Sequence, residues 1–185
     1  MAGKHRPNHR ALHPGRVLSH YTIAALQDGP WPGRLALGPA PVREGDPADI
    51  AAWGADAVLG LTVPGEVASL GVVDLGAHLA HADLAWINAP IADYRAPDHG
   101  FESDWPALRD ALLNRLDAGE KILVHCRAGL GRSGTVVAAL LIAAGMSPDD
   151  AMRAVRRARP GAIETTEQEA WLRDLKDAQP SDLEA

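Results

Sequence analysis

Cys126 and Arg132 are the two residues whose types and spacing most clearly indicate chemistry. The five residues between them include Gly129 and Gly131, and glycine lets a backbone approach a ligand closely with its N–H groups directed at one point. Arginine can present two parallel N–H donors to a tetrahedral oxyanion, which lysine cannot do. A cysteine in such an electropositive loop favours the nucleophilic thiolate. The spacing therefore predicts attack of a thiolate on the phosphorus of a bound phosphate.

The segments on either side predict how this loop is held. Residues 121–124 have strand composition, and residues 133–144 form an apolar run long enough for a buried helix. The loop would then open the helix at its N-terminus. Unpaired backbone N–H groups and the helix dipole make that position suitable for an anion.

These residues also carry a family resemblance. The chain resembles the His-Cys-x-x-Gly-x-x-Arg-Ser signature of the cysteine-dependent protein tyrosine and dual-specificity phosphatases at all five fixed positions: His125, Cys126, Gly129, Arg132 and Ser133. Residues 90–93 (Pro-Ile-Ala-Asp) and 161–168 are similar to the branch that contains the cyclin-dependent kinase-associated phosphatase and its bacterial relatives. The resemblance covers residues 50 to 175 in outline. It implies a phosphocysteine intermediate and no metal or cofactor.

The resemblance also implies roles for individual residues. Phosphate binding falls to the loop residues Arg127, Ala128, Gly129, Leu130, Gly131 and Arg132. His125 would orient the loop and help hold Cys126 as a thiolate, a role that merges with that of a hydrogen-bonded core histidine. Ser133 is either the cap of the following helix or a hydrogen-bond donor to the thiolate. Gln168 is similar to the family's glutamine that positions the hydrolytic water, and it could equally be a surface residue at a helix start.

A leaving alkoxide or phenoxide needs a proton, so a general acid must come from another segment. Asp93 and Asp98 are the candidates, and Asp93 is preferred because it matches the Pro-Ile-Ala-Asp pattern. Either residue could instead be an aspartate that only forms a turn.

Strand-like and helix-like segments alternate along the chain. Short apolar runs predict strands at residues 35–37, 55–61, 84–88 and 121–124. Capping residues and apolar spacing predict helices near residue 50, at Thr62, near residue 74, behind Ser103, at residue 133, behind Ser147, and at Thr166 with Glu169 in a capping box. Residues 93–104 read as a loop. The alternation predicts a single α/β domain with a central, mostly parallel sheet flanked by helices on both faces.

The composition sets further limits. The chain has 185 residues and a net charge of −6, which suits one domain and argues against a nucleic-acid-binding surface. One cysteine allows no intramolecular disulfide and no cysteine-rich zinc site. We expect a mobile tail at residues 1–18 without a signal peptide, a phosphatase domain at 19–178, and a second tail at 179–185. The longest apolar run, 136–144, is too short to cross a bilayer, so a cytoplasmic protein without a membrane partner is expected.

The residues and the resemblance together predict a phosphomonoester hydrolase acting on a phosphorylated protein, at phosphotyrosine or with dual specificity. One alternative is a small substrate such as an inositol phosphate or a phosphoinositide. The loop offers no lysine to meet several phosphate charges, which disfavours that substrate. The other alternative is a catalytically inactive phosphate-binding adaptor. The oligomeric state and the identity of the partner stay open.

Overall fold

The computed structural model describes residues 21–27 and 29–177, and within them it has an α/β fold. The strands are β1 (Ala24–Ala25), β2 (Arg34–Gly38), β3 (Ala57–Gly60), β4 (Ala85–Asn88) and β5 (Lys121–His125). The helices are α1 (Asp46–Trp53), α2 (Leu75–Ala80), α3 (His99–Asp117), α4 (Gly131–Ala143), α5 (Pro148–Ala158) and α6 (Thr166–Asp177), with a short 3-10 helix at Ala68–Leu70. The tails predicted at residues 1–18 and 179–185 lie outside the described residues.

The five strands form one sheet in the order β1-β2-β5-β3-β4. Only β1 pairs antiparallel, with β2, and the other three pairings are parallel, as the sequence predicts. In the register of the central strands, His125 at the end of β5 pairs with Gly38 on one side and with Gly60 on the other. The loop that follows β5 therefore leaves the middle of the sheet at its carboxyl edge, where open α/β sheets bind their ligands.

Both faces of the sheet are covered. Successive strand residues point to opposite faces, so Ile122 and Val124 pack with α3 to α6, whereas Leu123 packs with α1 and α2. The described side chains of α4 are buried along nearly the whole helix. This layering confirms the predicted sheet with helices on both faces and places α4 inside the core. None of the helices in the described part of the chain is long and apolar enough to span a bilayer.

The helix predicted at Thr62 does not form. Gly65 adopts a left-handed backbone with φ 93°, which stops a helical turn from continuing. The backbone N–H of Val63 donates instead to the Glu66 carboxylate at 2.8 Å. The segment is thus a tight turn that brings an acidic side chain toward the sheet edge.

Two further helix starts differ from the prediction. Helix α3 begins at His99, because the Asp98 carboxylate accepts a hydrogen bond from the Phe101 N–H at 3.0 Å. This cap lies five residues before Ser103, where the sequence predicts the start. The predicted loop 93–104 is correspondingly shorter. In α6 the capping pair is Thr165 and Gln168, one residue earlier than predicted.

Candidate active site

Cys126 lies where β5 ends and faces the first turn of α4. Its side chain is buried, and its Sγ lies 3.4 Å from the Ser133 Oγ. The residue at the cap position of α4 is Leu130, and no side chain there makes a cap hydrogen bond. Of the two roles considered for Ser133, the structure therefore lacks the cap and has the hydroxyl within reach of the cysteine sulfur.

The loop between Cys126 and Arg132 is held against the end of β2. The Ala40 N–H donates to the Arg127 carbonyl at 3.1 Å. Gly129 has φ 73°, and a Cβ at this position would overlap with the carbonyl group of Gly38. Both facts require glycine at 129, because a side chain would meet an unfavourable backbone conformation and rigid backbone atoms at once. The loop is consequently fixed from the sheet side.

Arg132 is almost completely buried, at 1% exposure, and its guanidinium is bound by protein acceptors. Its Nη1 donates to Glu66 Oε2 at 2.7 Å and to the Ile91 carbonyl at 3.0 Å. Its Nη2 donates to Glu66 Oε1 at 2.9 Å and forms an ion pair with Asp93 Oδ1 at 2.7 Å. Nη1 also lies 3.4 Å from the Leu61 carbonyl oxygen, so both nitrogens are surrounded by protein acceptors. The bidentate pair with Glu66 fixes the guanidinium plane.

Of the two candidate acids, Asp93 is the one that the structure brings to Arg132. Its side chain is 47% exposed. The same carboxylate accepts a 3.2 Å hydrogen bond from the N–H of Tyr94, whose backbone is left-handed with φ 57°. Asp98 contacts the first turn of α3 as its N-cap. The sequence alternatives are thereby separated, with Asp93 at the loop and Asp98 in a capping role.

The charges at the site influence one another. The hydrogen bond from Arg132 is the main reason why the pKa of Glu66 is below its ordinary value. Burial opposes the charge of Arg132, yet the hydrogen bond to Glu66 and the negative charges of Cys126 and Asp93 raise its pKa above the ordinary value. Arg132 therefore stays cationic, and Glu66 stays anionic, across the physiological pH range.

His125 is fully buried beside the cysteine. Its Nδ1 lies 3.2 Å from the Cys126 carbonyl oxygen, which can only accept, so Nδ1 carries the proton. Nε2 is buried without a hydrogen-bond partner among the described residues. Burial lowers the pKa of His125 to about 4, so the ring is neutral at pH 7.

This burial predicts a loss of stability in acid. The pKa of His125 is about 4 in the folded protein, against about 6.5 when unfolded, so only the unfolded chain gains the proton as pH falls from 6.5 to 4. The unfolding free energy should decrease across that window by about 3 kcal/mol from this group. Urea denaturation at several pH values measures it. His125→Asn should flatten the slope, and a slope in this variant equal to that of the wild type would contradict the assignment.

Gln168 is buried and its amide is used by backbone groups. Its Oε1 accepts from the N–H of Glu164 at 2.9 Å and of Thr165 at 3.3 Å, while its Nε2 donates to the Arg95 carbonyl at 3.1 Å. The surface position considered for Gln168 is therefore wrong. The residue ties the segment that carries Asp93 to the start of α6, and a role in positioning water stays a prediction.

Glu66 and Glu164 are acidic residues at the loop that the sequence analysis missed. The sequence offered only one local sign of such a role, which is that Glu66 follows a glycine in a turn after a strand. The Glu164 carboxylate lies over Gly131, where an added Cβ would stand 2.5 Å from Oε2. Arg156 of α5 donates to the Ala162 and Ile163 carbonyls and so holds the turn that leads to Glu164.

Comparisons with known proteins agree with this geometry. A family model described as the PTP-SAK, Swiss Army Knife protein, DSP-PTPase phosphatase domain matches residues 31–172, more than half of the chain. The chain belongs to this DSP-PTPase phosphatase family. It resembles the branch of the kinase-associated phosphatase, as the sequence motifs predict.

Three proteins illustrate how similar this chain is to known phosphatases in sequence and in structure. Mouse protein tyrosine phosphatase type IVA 3 is 39% identical over 77 residues, which is 42% of this chain and 44% of the relative. The kinase associated phosphatase structure has a TM-score of 0.76 at 25% identity and covers 88% of this chain and 99% of that one. The active form of Tk-PTP has a TM-score of 0.68 at 32% identity, covering 80% and 94%. The match spans less than half the length of the mouse relative.

Proposed function

We propose that this domain hydrolyses phosphomonoesters on proteins, at phosphotyrosine or with dual specificity, through a phosphocysteine at Cys126. The observation that carries the proposal is the convergence of three groups. Cys126 lies at the bottom of the loop, Arg132 at its end, and Asp93 within 2.7 Å of Arg132 Nη2. A nucleophile, an anion-binding guanidinium and an acid are the parts that such a reaction needs. The names of the kinase associated phosphatase and of the mouse protein tyrosine phosphatase support a protein substrate.

Phosphate binding would rearrange the contacts of Arg132. Its Nη atoms are bound by Glu66, Ile91 and Asp93, so a phosphate oxygen reaches Nη2 by replacing the Asp93 carboxylate. The loop N–H groups at the N-terminus of α4 bind the other oxygens. Asp93 is then free to turn to the leaving-group oxygen, while Glu66 keeps the guanidinium in place. Substrate binding and delivery of the acid are coupled in this scheme.

Two chemical steps follow. Once phosphate has displaced it from Arg132, the Asp93 carboxylate takes up a proton from solvent. The Cys126 thiolate attacks phosphorus, the bond to the leaving oxygen breaks, and Asp93 gives that oxygen its proton. Water then attacks the phosphocysteine, Asp93 takes a proton from the water, and the electrons of the broken P–S bond return to Cys126. The Ser133 hydroxyl, 3.4 Å from Sγ, can donate to the returning thiolate. The first step leaves Asp93 as the carboxylate that acts as base in the second step, and the second step restores the Cys126 thiolate.

A rapid-quench assay tests the proposed function. The purified chain is mixed with an aryl phosphate, a phosphotyrosine peptide, a phosphoserine peptide or a soluble phosphoinositide, and acid-quenched samples are examined by mass spectrometry for phosphate on Cys126. Turnover of peptides with a phosphocysteine is the expected result. If only the phosphoinositide is turned over, the substrate is a phosphoinositide and the proposed protein substrate is wrong. Binding of the four compounds without turnover of any would favour the inactive adaptor.

The role of Asp93 predicts a dependence on the leaving group. Asp93→Asn should lower kcat by ~10²–10⁴ for an alkyl or tyrosyl phosphate, because these leaving groups need a proton. The loss should shrink for an activated aryl phosphate, whose phenoxide departs unaided. The measurement is the slope of log kcat against leaving-group pKa.

Asp98→Asn is the matched control for that slope, since asparagine caps a helix as well as aspartate does. It should keep both the cap of α3 and the leaving-group dependence of the wild type. If Asp98→Asn steepens the slope and Asp93→Asn does not, the general acid is Asp98. The contact of Asp93 with Arg132 would then not serve proton transfer.

A further inference from the structure

Three neighbouring strands place an indole on the imidazole of His125. His125 pairs with Gly60 of β3, and Trp86 of β4 pairs with Val58, two residues before Gly60. Residues two apart on a strand share a face, so Trp86, Gly60 and His125 lie on the same side of the sheet. Because Gly60 has no side chain, the indole reaches across β3 and stacks on the imidazole, with ring centroids 5.6 Å apart and planes 15° apart.

Two glycines make room for this indole. A Cβ at Gly60 would overlap with the Trp86 ring and stand 2.9 Å from His125 Nε2. A Cβ at Gly76, on α2, would lie 2.9 Å from Trp86 Cδ1. Trp86 itself is only partly buried, unlike the leucines that fill the core on this face. The indole of Trp86 therefore fits tightly between two glycines although it is partly exposed. This fit fixes the orientation of the ring in addition to filling space.

The surroundings of His125 are otherwise sparse. Arg132 on α4 and Glu66 in the turn after β3 act on the ring through their charges, and Cys126 acts through its backbone carbonyl. Strands β3 and β4 contribute Gly60 and Trp86 at this point. The Cys126 carbonyl is the only hydrogen-bond partner of the imidazole among the described residues. One hydrogen bond leaves the ring free to rotate unless packing holds it.

We propose that Trp86 is a positioning residue for Cys126 that acts through His125. The indole holds the imidazole in the plane in which Nδ1–H reaches the Cys126 carbonyl, and it keeps water from Nε2. The first peptide of the phosphate-binding loop is thereby fixed, and the ring stays neutral. The inference rests on the proposed function for its catalytic consequence, while the effect on His125 is independent of any substrate.

The experiment compares Trp86→Phe, Trp86→Leu and Trp86→Ala with the wild type. Side-chain ¹⁵N NMR follows the protonation of His125 between pH 3.5 and 7.5, a range that includes its pKa of about 4 in the wild type. The constants kcat and KM are measured on an aryl phosphate. In the Leu and Ala variants water reaches Nε2, and the pKa of His125 should rise by at least about one unit. Loss of orientation should lower kcat about tenfold with KM little changed. The Phe variant keeps a flat ring and should keep most of both properties.

Trp53→Leu is the matched control, because Trp53 is a partly buried indole of the same core cluster that contacts Lys121. It should leave the titration of His125 and kcat unchanged. An unchanged His125 titration in both Trp86→Leu and Trp86→Ala overturns the inference, and so does a Phe variant as impaired as the Ala variant. A wild type without turnover refutes the proposed function instead, and the NMR titration still tests the hold of Trp86 on His125.

Discussion

Cys126→Ser is expected to lower kcat on any phosphomonoester by at least about 10⁴-fold, because a serine hydroxyl is a far weaker nucleophile than a thiolate at neutral pH. Tungstate or vanadate should still bind within a few-fold of the wild-type affinity. The loop N–H groups, the N-terminus of α4 and the Arg132 guanidinium do not depend on the sulfur. The serine variant thus separates binding from chemistry.

Stopped-flow kinetics and calorimetric titration with tungstate measure these two effects. The wild type should release the phenol of an aryl phosphate in a burst equal to the enzyme concentration, and Cys126→Ser should show no burst. Ser133→Ala provides a comparison, since it removes only the donor near Sγ and should slow the second step while keeping the burst. Wild-type turnover in Cys126→Ser would rule out the covalent mechanism.

The loop and its supports could be predicted because their determinants are contiguous in the sequence. The anion-binding segment needs a strand end, glycines at close approaches and a helix start, and all three occur between Lys121 and Ala143. Gly129 illustrates this, since its positive φ and its contact with Gly38 each require glycine. The parallel sheet follows equally from alternating apolar runs, which bury both of their faces.

Glu66 and the helix starts could not be predicted for two physical reasons. The ion pair of Glu66 with Arg132 joins residues 66 positions apart, and nothing local to either one signals the other. The start of α3 depends on which oxygen first reaches a free N–H, and Asp98 does so before Ser103. In α6, Thr165 and Thr166 are both able to cap, and the reciprocal bond with Gln168 selects Thr165.

Arg132→Lys should be nearly as damaging as Arg132→Ala, with kcat/KM lower by about 10³-fold or more in both. Arg132 meets Glu66 through two parallel hydrogen bonds while it also reaches Asp93 and the Ile91 carbonyl. A lysine ammonium presents its donors at one point, so it cannot hold Glu66 and a phosphate oxygen together. Arg109→Lys, at the surface of α3, should be neutral.

The pair with Glu66 makes this prediction sharper. Glu66→Gln should lower kcat/KM by about 10- to 100-fold, because the guanidinium loses the partner that fixes its plane. In Arg132→Ala there is no guanidinium left to orient, so adding Glu66→Gln should reduce kcat/KM little further. The four variants form a double-mutant cycle in kcat/KM. Full additivity of the two losses would mean that Glu66 acts separately from Arg132. An Arg132→Lys variant within a few-fold of wild type would rule out the simultaneous binding of Glu66 and a phosphate oxygen by the guanidinium.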